Sequence, residues 1–291
     1  MVFPLLLPGA AVGCGAEVPV PRDARGFVYQ LQGYQDGGLD ALAAAPFRYA
    51  VIDLARDGGD GYFSAEEVGV LKKSGKRVLA YFEIGSIESF RPDYAAIRDD
   101  RADLLLNEWP SWPGEHFVRY WDQRWWELGV RPRVDRALAA GFDGVYLDTP
   151  LAYEEIDLAL VPGIGREELG RRMVELIARI SAHGKRTDAD FLVYPQNSPE
   201  LLHHHGYLEA VDGIGVEELF FRATDEPCAA DYCAQNLAET RKLRAAGKTV
   251  LAVDYAVRPE NVERACRAYR EEGFEGYVSV RELDRISAPC R

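Results

Sequence analysis

Two stretches decide the fold: AGFDGVYLD (residues 140–148) and AVDGIGVE (210–217). Each passes through an Asp-Gly turn into an apolar run and ends on an acid five residues after the turn's aspartate, Asp148 in one and Glu217 in the other. Equal lengths put both acids at strand ends. A second echo, GKRVLAYFE (75–83) and GKTVLAVDY (247–255), marks another matched pair of strands. Such quasi-repetition is what successive βα units of one domain produce.

Working outward, further runs rich in Val, Tyr, Ile and Leu complete the set. Strands are predicted at 27–31, 49–54, 77–82, 144–148, 191–194, 213–216, 249–255 and 276–280. Each is too short for a helix and nearly continuous in hydrophobicity, as strands buried on both faces are. Between them lie helical patterns. Leu169, Met173, Leu176, Ile177 and Ile180 make one apolar face. Ser64 and Glu67 have the spacing of a capping box, with Phe63 placed to staple and Gly75 to end that helix. Eight strands alternating with helices predict an α/β fold, a single (β/α)8 TIM barrel, with an open doubly wound sheet as the alternative. The longest insertion, 86–124, follows the third strand and carries Tyr94, Trp109, Trp112, Tyr120 and Trp121. A segment of that length there is expected to lie over the barrel's active face.

The chain of 291 residues is 47% hydrophobic, enough to bury one large core, and carries a formal net charge of -13. That charge disfavours nucleic acid, which needs clustered Lys and Arg, and suits a neutral or cationic ligand. Residues 1–20 read as a leader and 21–291 as one catalytic domain. Ala11, Val12, Gly13 and Cys14 resemble a bacterial lipoprotein processing site, making Cys14 a lipidation candidate, although no Lys or Arg precedes the apolar run. A membrane tether is expected only through Cys14. Cys228, Cys233, Cys266 and Cys290 suit two disulfides in an oxidising compartment, either secreted or at the cell envelope. Three connectivities are open, of which Cys228 to Cys233 and Cys266 to Cys290 is the expected one; four free thiols are the alternative.

In such a barrel the strand C-terminal ends form the active face, so Asp53, Glu83, Asp148, Glu217 and Asp254 are the acids to consider. Asp148 and Glu217 are the chosen pair, since glycoside hydrolysis needs two carboxylates about one bond. Each has the plainer reading of a helix cap or Asx turn. Trp112, Trp121, Tyr153, Tyr194 and Tyr255 are aromatics in predicted loops or strand ends on which sugar rings could stack. Other chemistries lack their signatures. The chain has no GxSxG elbow and no phosphate-binding GxxxxGK[ST], and GIGREELG (163–170) lacks dinucleotide spacing. Side chains of His203, His204 and His205 diverge on any regular element. The calcium-loop imitation in 56–67 has Arg56 and Gly58 at ligand positions. Neither metal nor cofactor is expected.

Several motifs together resemble glycoside hydrolase family 114, the endo-α-1,4-polygalactosaminidases and their relatives. The resemblance covers nearly everything after the leader. It is carried by YQLQG (29–33), YAVIDL (49–54), GKRVLAYFEIGSIESFRPD (75–93), RYWD (119–122), GFDGVYLD (141–148) and VDGIGVEELF (211–220). It implies a (β/α)8 barrel that cleaves α-1,4-linked, galactosamine-rich polysaccharide, with Asp148 as nucleophile and Glu217, not Glu218, as general acid/base. Asp53, Glu83, Trp121, Asp122, Tyr194, Gln196, Asn197, Asp254 and Tyr255 are then expected to bind sugar, and the protein to act as a monomer. Glu83 stands where the family pattern has a small residue, so it is expected either to shape a subsite or to pair with Arg91. The alternatives are a polysaccharide-binding barrel without turnover at the envelope, or a glycosidase for another carbohydrate.

Overall fold

The computed structural model describes residues 24–34 and 37–290, so the leader and Cys14 lie outside the described residues. Eight parallel strands follow one another in chain order: β1 (Phe27–Gln30), β2 (Tyr49–Asp53), β3 (Arg77–Glu83), β4 (Gly144–Asp148), β5 (Leu192–Pro195), β6 (Gly213–Glu217), β7 (Thr249–Tyr255) and β8 (Glu275–Ser279). All eight fall within one residue of the sequence expectation. β1 to β5 form one sheet and β6 to β8 another. The sheets meet where Gln196 bridges Gly215 and the Asp212 amide donates to the Val193 carbonyl at 3.0 Å. Last and first strands meet through side chains, with the Phe27 and Tyr277 rings 5.7 Å apart.

The matched stretches have a shared physical cause. Asp143 accepts from the Val78 amide at 2.8 Å, and Asp212 accepts from the Val193 amide at 2.9 Å. Each aspartate therefore clamps the start of its strand to the preceding strand and fixes the register five residues before Asp148 or Glu217. The second echo works the same way. Lys76 donates to the Ala43 carbonyl at 2.7 Å and Lys248 to the Val211 carbonyl at 2.8 Å.

The interior is filled largely by tyrosines, in layers. Tyr49, the first residue of β2, and Tyr194 face each other with their rings 6.2 Å apart. Tyr29 and Tyr146 pack above them at 5.3 Å. Glycine on β6 makes this possible, because a Cβ at Gly213 would strike the Tyr194 ring and one at Gly215 the Tyr146 hydroxyl. All these rings are buried, so the barrel is a packed core that opens only at its C-terminal end.

Outside, α1 (Ala65–Lys73) starts with the expected capping box between Ser64 and Glu67. Glu67 also pairs with Arg56, so the calcium-like stretch is committed to holding this helix end. α2 (Arg166–Thr187) buries Leu169, Met173, Leu176, Ile177 and Ile180 on one face. The insertion contains a small antiparallel sheet of Ser86–Glu88, Leu105–Glu108 and Glu115–Val118. It reaches across the barrel mouth: Arg281, just after β8, lies over the Trp112 ring at 4.9 Å. Disulfides join Cys228 to Cys233 and Cys266 to Cys290, the connectivity expected from the sequence.

Candidate active site

Register places the two carboxylates before any side-chain contact does. Asp148 ends β4 opposite Glu83 of β3, and Glu217 ends β6 opposite Val253 of β7. Both lie on the inward row of their strands, above Tyr146 and Gly215 respectively.

Asp148 is held by two donors. The Tyr81 hydroxyl donates to Oδ2, and the Thr149 amide donates to Oδ1 at 2.6 Å. Glu217 is held by three. Its Oε2 accepts from Gln196 Nε2 and from Asn197 Nδ2 at 3.2 Å, and its Oε1 accepts from the Tyr255 hydroxyl. Asn197, with φ of 63°, also accepts from the Glu217 amide at 2.9 Å, locking the two strand ends together. Gln196 is oriented in turn by the Tyr29 hydroxyl at 3.1 Å. Burial first, and then the charge of Glu217, push Asp148 up to about 7. Near neutral pH Asp148 is therefore close to half protonated. One protonated and one ionised acid is the state that two-carboxylate hydrolysis requires.

Of the residues expected to bind sugar, the structure brings Gln196, Asn197 and Tyr255 onto Glu217. It does not bring the others there. Glu83 is fully buried and bound by Arg91 Nε at 2.9 Å, with Arg133 Nη1 at 3.4 Å. This is the Arg91 pairing, not a subsite contact. Asp53 is buried beside it and accepts two bonds from Arg91 Nη1, at 3.1 and 3.0 Å. Asp254 is also fully buried. It accepts from the Phe220 and Phe221 amides, both at 2.7 Å, and from the Tyr269 hydroxyl at 2.6 Å, so it shapes the turn after Glu217. Tyr194 is buried inside the barrel with its ring against Tyr49. Trp121 packs edge-on to Tyr120 at 4.9 Å and under Arg172. Asp122 is engaged with the Arg124 amide and guanidinium. Proximity to a strand end was the common signal for these residues, and it does not tell a side chain that faces the mouth from one spent on packing.

Other residues at the site were not singled out from the sequence. Tyr81 is the clearest, and its signal was available: it sits two residues before Glu83, on the inward row of a strand already identified. Glu88 and Glu115 were hidden in the insertion. Glu218 has φ of 57° and a buried Oε1 without a hydrogen-bond partner. Burial and the neighbouring Glu217 raise it to about 7. The three histidines diverge, His203 toward Glu239 and His204 toward Glu167.

A (β/α)8 fold with two inward carboxylates at the ends of its fourth and sixth strands is a framework on which glycoside hydrolases are built. The chain belongs to glycoside-hydrolase family GH114, whose model matches residues 10–291. It is 34% identical over 258 residues to an uncharacterized protein of Deinococcus radiodurans, covering 88% of this chain and 80% of that one. A Thermotoga maritima protein is 32% identical over 274 residues, covering 90% and 83% of the two chains. Among solved structures, the glycoside hydrolase domain of PelA from Pseudomonas aeruginosa shares the fold with a TM-score of 0.70 at 19% identity, covering 92% of this chain and 99% of that one. Ega3 of Aspergillus fumigatus, in complex with galactosamine, gives 0.68 at 16% identity, covering 92% and 96%.

Proposed function

We propose that this protein is an endo-acting hydrolase of α-1,4-linked, galactosamine-containing polysaccharide, working without metal or cofactor. The observation that carries the reading is the carboxylate pair itself, Asp148 held by Tyr81 and the Thr149 amide and Glu217 by Gln196, Asn197 and Tyr255 at the ends of β4 and β6. Family membership and the galactosamine bound to the Ega3 structure support the sugar.

In the proposed cycle Glu217 gives a proton to the glycosidic oxygen as the bond to the anomeric carbon breaks, and Asp148 attacks that carbon to form a glycosyl ester. Glu217 then takes a proton from water, whose oxygen attacks the same carbon and releases Asp148. Tyr81 and the Thr149 amide hold the nucleophile, while Gln196, Asn197 and Tyr255 hold the acid/base. The converse division of roles has two observations in its favour: three donors on Glu217 stabilise its anion, as a nucleophile needs, and burial raises Asp148 to about 7, as a general acid needs. Two disulfides support an extracytoplasmic location.

The test is to incubate the protein with α-1,4-linked galactosamine polymer and chromatograph the products. Oligosaccharides are expected from the wild type, with rates at least about 100-fold lower from Asp148→Asn and Glu217→Gln. Full activity in either variant removes the mechanism, and tight binding without products makes the protein a carbohydrate-binding barrel. Azide restoring turnover to a truncated Asp148 but not to a truncated Glu217, with retained configuration in the natural product, supports the roles as written.

A further inference from the structure

Thr149, the residue after the Asp148 carboxylate, has a φ of 58°. Residues branched at Cβ rarely take that left-handed conformation, and one that persists there is held by its surroundings. The turn aims the Thr149 amide back at Asp148 Oδ1, at 2.6 Å. What holds Thr149 comes from the segment that leaves β3. The Gly85 amide donates to Thr149 Oγ1 at 3.1 Å, and Ser86 Oγ lies 2.9 Å from the same oxygen. Ser86 Oγ in turn lies 2.5 Å from Glu115 Oε1, on the neighbouring antiparallel strand. Thr149 and Ser86 are fully buried and Glu115 is 7% exposed, so these groups depend on one another for hydrogen bonds.

Proton counting gives this row of bonds a direction. Each hydroxyl has one proton to donate. Thr149 spends its proton on the Asp148 carbonyl at 2.8 Å, so it accepts from Ser86. Ser86, having donated to Thr149, accepts from Glu115, whose carboxyl therefore carries a proton. The surroundings favour that neutral form. Glu115 stands opposite Glu88 in the strand pair, and burial first, then the charge of Asp148, raises it to about 8. Glu83 adds to the rise and Arg91 opposes it. At pH 7 the bonds all run from Glu115 toward the residue that grips Asp148, and aligned buried hydrogen bonds strengthen one another.

We propose that Glu115 is a positioning residue for the nucleophile: through Ser86 it holds Thr149 in the left-handed turn whose amide fixes Asp148. Ser86 and Glu115 both belong to the small sheet of the insertion, which thereby takes part in the chemistry. The proposal rests on the hydrolase reading only for what Asp148 does once it is held.

The experiment is nuclear magnetic resonance on the intact protein labelled with 15N-threonine, of which the chain has five. The Thr149 resonance is identified by its absence from Thr149→Ser. An amide bonded to a carboxylate shifts as that group titrates, so the Thr149 resonance is expected to move with a midpoint near about pH 7. Asp148 also faces Tyr81 and Glu83 on β3, Glu217 on β6, and Tyr29 and Tyr146, and Ser86→Ala leaves all of these in place. The Thr149 amide lowers the Asp148 value, so Ser86→Ala and Glu115→Leu are each expected to move the midpoint to higher pH. Exchange of that amide with solvent is expected to become at least about tenfold faster. Glu115→Gln, whose carboxamide N–H still donates to Ser86, is expected to recover most of both. Thermal unfolding checks that each variant is folded, and the small Ser86→Ala change stands in if Glu115→Leu does not fold. An unchanged midpoint and exchange rate in Ser86→Ala, or a Glu115→Gln protein as impaired as Glu115→Leu, overturns the proposal. Turnover is measured separately, with kcat of Ser86→Ala expected about tenfold lower and KM within about twofold; an undiminished kcat also overturns the proposal. Products from the wild type with a Thr149 resonance indifferent to Ser86→Ala remove the positioning role and leave the hydrolase reading, whereas a shifted midpoint in a protein that forms no products does the reverse.

Discussion

Replacing Arg91 by methionine tests how the floor of the site is held. Arg91 is 8% exposed and bonds three carboxylates, Asp53, Glu83 and Glu88. Glu88 is protonated at neutral pH, and Asp53 is raised to about 6 by burial even with Arg91 present. The main loss therefore falls on Glu83. Burial raises its proton affinity, but Arg91 and Arg133 outweigh burial and hold it at about 2. Without Arg91, Glu83 escapes an underpaired charge by taking a proton, and doing so at pH 7 costs a carboxyl of ordinary pKa about 3 kcal/mol. Breaking buried ion pairs generally costs about 3–5 kcal/mol, so Arg91→Met is expected to lose about 3–4 kcal/mol at pH 7. The sign follows from the depressed pKa. Stability from Glu83 is present above its unfolded value, near 4.5, and is lost as pH falls through about 2, while the variant's cost of protonating Glu83 shrinks as pH falls from 7, so the gap narrows from pH 7 downward. Urea unfolding followed by tryptophan fluorescence at pH 7 and pH 4 measures both gaps without adding salt. A loss under about 1 kcal/mol at pH 7, or an equal loss at both pH values, refutes the reasoning.

The active pair gives a pH prediction. Asp148 must be ionised to attack and lies at about 7, so kcat/KM is expected to rise as pH climbs through about 7. The Tyr81 hydroxyl lowers the Asp148 value, so Tyr81→Phe is expected to move that acid limb to higher pH; a limb that stays put or moves down argues against the Tyr81 contact. Tyr255→Phe removes one of three donors on Glu217 and is expected to lower kcat about 10- to 100-fold with the fold unchanged by circular dichroism. Replacing Cys266 and Cys290 by alanine frees a crosslink spanning 24 residues and is expected to cost about 3 kcal/mol in chemical unfolding, while hydrolysis rates at 25 °C hold.

Much of the fold was legible because its signals are local. The Asp-Gly turns at 143 and 212 clamp strand starts, so equal spacing to Asp148 and Glu217 translates directly into equal register. The run pattern located all eight strands for the same reason: burial on both faces demands continuous apolar residues. Which acids face the mouth was not local. Asp53, Glu83 and Asp254 end strands just as Asp148 does, yet Arg91, Arg133, Tyr269 and two backbone amides take up their oxygens.

The sequence by itself determined the strand order, the catalytic register and the cysteine pairing expected from proximity. Only the tertiary structure decided what each side chain spends its polar atoms on. Tyr194 and Tyr255 look alike in the sequence; one packs against Tyr49 inside the barrel, and the other, the last residue of its strand, donates to Glu217. Glu88 and Glu115 lie in an insertion without periodic signal. They meet only because antiparallel pairing sets them face to face, beside Phe90 and Trp112.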